Sequence, residues 1–276
     1  MDDIQYFVFD IESIADGELI SRLRYPTADL TPAAAVAQYR EELLQEKGSD
    51  FIPPTYHLPI SLVVGKVNAE FQLVDLVALD ESECRPAEIT RLFWSGWEAY
   101  KKPTLVTFNG RSFDIPVLEL AAFRYGLSLK EWFAWNARNF DQPRYRFNHH
   151  SHLDLQEVLS NFGAARLNGG LNLIANLIGK PGKMDVAGDM VQDLYEQGAL
   201  PEINNYCRCD VLDTYFVFLR TNVLIGKLSL EREQHLVQQT RSWLESQATD
   251  NAIFEQYLNN WGDWKNPWAT SKDECK

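Results

Sequence analysis

Asp10 and Glu12 stand two apart at the end of an apolar, aromatic-rich run, Ile4 to Ile11. A period of two puts both side chains on one face of a strand. Two adjacent carboxylates repel and are costly near a core unless a cation sits between them. The same pair also suits a strand end whose acids simply reach water. A second group, Asn109-Gly110-Arg111-Ser112-Phe113-Asp114, follows the strand-like Thr104 to Phe108. Asn-Gly makes a turn, and Asp114 opens a helix, where an Asp also serves as an ordinary N-cap. A third group, Tyr206-Cys207-Arg208-Cys209-Asp210, lies in a helical pattern. Tyr206 and Asp210 are one turn apart on one face, a spacing that also fits a half-buried tyrosine beside a solvated acid. Asp213 follows a turn later, as a salt-bridge partner or an auxiliary acid.

Together the groups say more than each alone. Asp10, Glu12, Asp114 and Asp210 offer the hard oxygen ligands that Mg²⁺ or Mn²⁺ takes. Two such ions ~4 Å apart clamp a phosphodiester, one activating water and the other stabilising the leaving oxygen. A tyrosine, with a pKa of about 10, is a poor base at neutral pH but a good orienter of water.

Composition narrows the partners. With 39 acidic and 26 basic residues in 276, the net charge is −13. Such a chain is no general duplex coat, because that affinity comes from Lys and Arg displacing counterions. It suits a nucleic-acid end, where metal ions held by the acids grip the phosphate. No apolar run reaches the ~18 residues of a membrane helix. The acidic Met1-Asp2-Asp3 start argues against a signal peptide, and Cys84, Cys207, Cys209 and Cys275 are too scattered for a disulfide framework. A reducing, cytoplasmic setting is the expectation.

The elements that must position these residues read as follows. Strands are expected at 4–11, 60–67, 71–79 and 104–108, the second and third forming a hairpin about Asn68 to Glu70. Helical signals run through 17–47, where Thr31-Pro32 is an N-cap with Pro in the first turn. Further helices are expected at 85–100, 115–125, 153–162, 171–178, 187–198 and 201–225, then two more before a tail with Trp261, Trp264 and Trp268. There is no repeat or low-complexity run. Strands first and helices later predict a mixed sheet flanked by helices, an α/β or α+β domain.

Phe9-Asp10-Ile11-Glu12, Asn109-Gly110 to Phe113-Asp114 and Tyr206 to Asp210 resemble the three motifs of the DEDD 3′–5′ exonuclease superfamily, in its tyrosine subclass. The second motif resembles that of the proofreading domain of family-B DNA polymerases. Gly179 to Val191 and Tyr206 to Arg220 look like a bacterial family of stand-alone predicted exonucleases related to that domain. The resemblance covers about residues 4 to 225, and 276 residues leave no room for a polymerase. It implies an α/β, ribonuclease-H-like mixed β-sheet flanked by α-helices. The exonuclease domain would span 1–227 with a helical insertion at about 17–59, and 228–276 would be a helical extension packing on it.

The resemblance also implies roles. Asp10 would bridge two metals, Glu12 and Asp210 would hold the one that activates water, and Asp114 would support the second. Tyr206 would orient the attacking water, releasing 5′-mononucleotides from single-stranded or frayed DNA ends. An exoribonuclease acting on RNA 3′ ends is the nearest rival. A non-catalytic binding protein on the same fold is the other, and the complete acid set argues against it.

Other features carry less. His149, His150 and His152 crowd a stretch beside Asp154 without compact zinc spacing, so a solvated loop is the plain reading, with His152 near the substrate path as an intermediate one. Cys207 and Cys209, about 200° apart on a helix, read as core. Arg138, Arg144, Arg146 and Arg166, near Trp132, Trp135, Phe140 and Tyr145, suit bases and phosphates or a capped surface over core aromatics. Phe108 and Phe113 flank the Asn-Gly turn, in the core or against a terminal base. The candidate substrate contacts are Asn109, Phe113, Arg144 and His152. A protein partner would use residues 17–59 or the Trp-rich tail.

Overall fold

The computed structural model describes residues 3–182, 190–249 and 251–269. Its first strand, β1 (Ile4–Ala15), runs through the middle of a sheet and sorts its side chains between two cores. β2 (His57–Asn68) pairs antiparallel with β1 and with β3 (Leu73–Ala78). β4 (Thr104–Thr107) runs parallel to β1 on its other side, and β5 (His152–Asp154) runs parallel to β4. The order is β3-β2-β1-β4-β5.

The helices, in chain order, are α1 (Gly17–Arg24), α2 (Pro32–Lys47), α3 (Pro86–Ala99), α4 (Asp114–Tyr125), α5 (Lys130–Phe133) and α6 (Leu155–Leu159). They continue with α7 (Gly170–Leu177), α8 (Val191–Glu196), α9 (Leu200–Leu224), α10 (Leu230–Gln247) and α11 (Ala252–Asn259). A mixed sheet between helices is the expected ribonuclease-H-like α/β fold.

Strict alternation explains the two cores. Phe7, Phe9 and Ile11 face α3 and α4, burying against Phe93, Trp94, Trp97, Ile115 and Leu118. Trp132 joins that core, so it is no surface aromatic. Val8 faces the other way, onto Val211, Leu212, Tyr215 and Phe216 of α9. α10 and α11 add Leu236, Leu244, Phe254 and Tyr257 to this second core. From the tail, Trp261 meets Phe216 at 5.1 Å between ring centroids. Asp10 and Glu12 continue the Val8 face, toward α9.

Before β2, α1 and α2 close a small core of Ile20, Ala35, Val36, Tyr39, Leu43 and Ile52. Thr31 caps α2 as expected, accepting from the Ala34 amide at 3.2 Å.

Several boundaries differ from expectation, β2 beginning three residues early at His57. β1 runs on to Ala15, past a register shift after Glu12 that lets the strand keep pairing with β2. The helix expected at 153–162 is instead β5 followed by α6, because Leu105, Val106 and Thr107 offer a parallel edge to His152, Leu153 and Asp154. Such a short strand leaves no period to read. Of the helix expected at 187–198, α8 is the part seen; 187–189, and 183–189 of the Gly179 to Val191 motif, lie outside the described residues.

Asp213 is not salt-bridged at the surface; it lies behind Asp210, whose charge acts on it. It is fully buried and accepts a hydrogen bond from Tyr257 Oη at 2.6 Å. Burial pushes its carboxyl from 3.8 to about 7. Between these values the unfolded chain ionises first, so stability falls as pH rises through this window and the full penalty applies above about 7. Asp213→Asn keeps an acceptor for Tyr257 and removes the charge. Thermal melts should show a higher Tm than wild type at pH ~8 and little gain at pH ~4; equal gains at both would mean that Asp213 is not the titrating group.

Candidate active site

Asp10 and Glu12 come from β1, Asp114 from the start of α4, and Tyr206 and Asp210 from α9. A polar seam fixes α9 over β2. Ser61 donates to Asn204 Oδ1 at 2.6 Å, and Asn204 Nδ2 donates to the Glu81 carbonyl at 3.0 Å. Arg208 pairs with Glu81 at 2.6 Å. One turn along, the Cys207 thiol donates to the Asp10 carbonyl at 3.3 Å. A carboxylate oxygen each from Asp10 and Glu12 and the Cys207 sulfur lie within 4.8 Å of one another. Asp114 Oδ1 accepts from the Ile11 amide at 3.2 Å, so the start of α4 is tied to the strand between the two acids.

The electrostatics bind these residues into one site. Burial, then the charges of Asp114, Asp210 and Glu12, holds the Asp10 carboxyl well above the usual range. Burial pushes Asp114 to about 7, with Asp154 and Asp210 adding to it. Burial, then the charges of Asp210, Glu12 and Asp10, raises the Tyr206 hydroxyl, which hydrogen-bonds the Asp210 side chain and stays protonated. Among the described residues, the charged groups that act on Asp10 are Asp114, Asp210 and Glu12. A crowded acid set of this kind fits a divalent cation. Burial keeps the Cys207 thiol protonated, which leaves hard oxygens as the donors.

The turn before α4 is built for close approach. Asn109 sits at φ 67° and a Cβ on Gly110 would lie 2.5 Å from the Thr107 side chain. Below it sits a residue that the sequence reading passed over. Asp154 is buried, and its Oδ1 accepts from Asn109 N and Gln156 N, both at 3.0 Å, while Oδ2 accepts from Arg111 N at 2.9 Å. It caps α6 and clamps the Asn109–Arg111 turn with one carboxylate. An Asp directly before a helical run was the available signal; its second task crosses from one strand end to the next.

The candidate contacts fall in different places. Asn109 Oδ1 accepts from Gln156 Nε2 at 3.0 Å, beside the acids. Phe113 is half-buried and meets His57 at 5.4 Å and Phe51 at 6.0 Å. With Glu12 and Arg40 these rings line a cavity of about 410 Å³. Arg144 lies apart, held by both oxygens of Glu119 at 2.6 and 2.9 Å. His152 is not in a solvated loop: it is fully buried in β5, with Nε2 2.8 Å from Thr107 Oγ1. Among the described residues the histidines are in no group spaced to hold a metal ion; the spacing that could hold one is that of Asp10, Glu12 and Cys207. Cys207 and Cys209 are buried, as expected.

The mixed sheet and its acid cluster define a ribonuclease-H-like α/β protein. Residues 49–261 match the family described as "Predicted 3'-5' exonuclease related to the exonuclease domain of PolB", and the chain belongs to that family. The match takes in Asp114, Asp154, Tyr206 and Asp210 and begins after β1. No curated protein and no solved structure gives a match. Among the described residues no helix is long and apolar enough to cross a membrane.

Proposed function

We propose that the chain is a metal-dependent 3′–5′ exonuclease of the DEDD type, releasing 5′-mononucleotides from single-stranded or frayed DNA ends. The observation that carries this reading is the convergence of Asp10, Glu12, Asp114 and Asp210 beside a protonated tyrosine, each acid adding to the cost of ionising its neighbours. These acids would hold the divalent cations, Mg²⁺ or Mn²⁺. Bound there, such ions lower the pKa of water and stabilise a leaving oxygen. Tyr206 would orient the attacking water by a hydrogen bond, because a hydroxyl held above its ordinary pKa donates and does not abstract. Phe113, with Phe51 and His57, would wall the terminal nucleotide beside Glu12, and Asn109 would meet its sugar or phosphate. Arg144 and His152, engaged by Glu119 and Thr107, would support the site from outside it. Buried free cysteines agree with a reducing, cytoplasmic setting.

The test is a 5′-labelled single-stranded DNA oligomer and its RNA twin with Mn²⁺, Mg²⁺ or EDTA. A metal-dependent ladder shortening from the 3′ end is expected, and the faster substrate separates deoxyribonuclease from ribonuclease. No ladder on either overturns the reading. In the same assay Tyr206→Phe should slow turnover by roughly 10- to 100-fold, the usual cost of a lost orienting partner. Its metal-induced rise in Tm should persist; loss of that rise would make Tyr206 a structural residue.

A further inference from the structure

We infer that the exposed aromatic face formed by residues 140–149 and Phe162 is a track for single-stranded nucleic acid leading away from the acid cluster; this rests on the nuclease reading above. The rings form one connected surface. Phe140 meets Tyr145 at 5.1 Å, Tyr145 meets Phe147 at 5.8 Å, Phe147 meets Phe162 at 5.3 Å, and His149 meets Phe162 at 6.0 Å. Phe140 is 73% exposed, Phe147 54% and Phe162 40%. Isolated exposed apolar side chains are ordinary, but a contiguous group of them marks a binding surface.

Charge selects the occupant. The whole chain carries −13, yet residues 138–146 hold Arg138, Arg144 and Arg146 against Asp141; Arg144 is paired with Glu119 and Arg146 with Glu157, so a phosphate meets Arg138 first and shares the other two with those acids. Arg146 lies 6.0 Å from the ring centroids of both Phe147 and Phe162. Rings that take unpaired bases, interleaved with guanidiniums that take phosphates, form the surface single strands use. An apolar protein partner has no use for the arginines. A strand aimed at four acids also needs its grip elsewhere, since those acids repel phosphate until cations are bound.

The face is tied mechanically to the site. Arg146 pairs with Glu157 at 2.8 Å, and Glu157 also pairs with Arg111 at 3.0 Å. Arg111 belongs to the turn that carries Asp114, and Asp154 clamps its amide. One carboxylate therefore joins the aromatic face to the turn before α4. Strand held on Phe147 lies on the same rigid block as the metal-holding acid.

Two measurements on the full chain separate this inference from the reading beneath it. The first is fluorescence anisotropy of labelled DNA and RNA oligomers longer than about 16 nucleotides, in EDTA, so that binding is read without cleavage. Phe140→Ala and Phe147→Ala, both at exposed positions, should each weaken binding by about tenfold. The second is metal-dependent hydrolysis of a dinucleotide, which is too short to reach the face; both variants should match wild type. Unchanged oligomer affinity in both variants overturns the track and leaves the face to a protein partner. Equal losses on oligomer and dinucleotide overturn it too, by making the rings structural. Failure of wild type to cleave any substrate strikes the nuclease reading instead, while the anisotropy still decides the track. A loss confined to DNA or to RNA identifies which strand it takes.

Discussion

Asp10→Ala is expected to remove metal-dependent hydrolysis while raising the Tm of the metal-free protein. Asp10 sits where Asp114, Asp210 and Glu12 all act on it, and its carboxyl is held well above its usual range by burial and by those charges. Removing it relieves repulsion among the remaining acids and takes a ligand from the site. Even residues one layer behind a metal's ligands cost 10- to 100-fold when lost, so the loss here should be at least about a hundredfold. The metal-induced rise in Tm should shrink together with activity. For the wild type, Asp114 gives a pH signature. With its carboxyl at about 7 in the absence of metal, a bound cation must displace a proton below that value. Apparent metal affinity should therefore climb as pH rises through about 7. Titrating Mn²⁺ against Tm across pH for wild type and variant checks all of this. An Asp10→Ala protein that keeps full activity, or that melts lower than wild type without metal, would sink the assignment.

Asp154→Ala carries the second large effect and touches no reacting atom. The change strands the amides of Asn109, Arg111 and Gln156 around a buried hole. Unsatisfied buried donors cost about 1–3 kcal/mol each, and a lost helix cap adds about 1. A destabilisation of roughly 3 kcal/mol or more is expected. Asp154→Asn should not restore it, because an amide NH₂ replaces one of the two accepting oxygens. The kinetic outcome separates geometry from electrostatics. Asp154 raises the Asp114 carboxyl, so removing its charge alone would ease ionisation of Asp114 and favour metal. If the turn relaxes instead, a shift of about 1 Å at Asp114 costs ~100-fold in turnover. A fall in kcat with a weakened metal response points to positioning. A lower Tm with full kcat would show that the Asn109–Gln156 side-chain bond holds the turn unaided.

The strands and helices that repeat long enough to show a period were legible. Phe7, Phe9 and Ile11 alternate with Val8 and Asp10, so β1 and its two faces follow from spacing alone. The helix holding Tyr206 and Asp210 is legible by the same logic. What escaped depends on partners distant in the chain. β5 has only three residues and exists because β4 offers it an edge. His152 was read as near a loop for that reason, although the strand buries it completely. Arg144 looked like a free cation because nothing local announces Glu119, which lies 25 residues earlier. Asp154, read only as an acid beside the histidines, gave no sign of the clamp it closes on the amides of Asn109 and Arg111. Cys207 and Cys209 were readable as core from residue type, but the Cys207 bond to the Asp10 carbonyl was not.

The acids lie far apart along the chain: two in β1, one at the start of α4 and one in α9. During synthesis, β1 and β2 can pair long before α9 leaves the ribosome, and residues 10 and 12 then face an open sheet surface. Until α9 closes over that surface, the nascent chain has half of the acid cluster and no tyrosine beside it. On the nuclease reading proposed above, cutting power would arrive only with the last half of the fold, and a growing polypeptide would leave the nucleic acid around it intact. The long sequence separation that makes this topology slow to form would then double as a safety interlock.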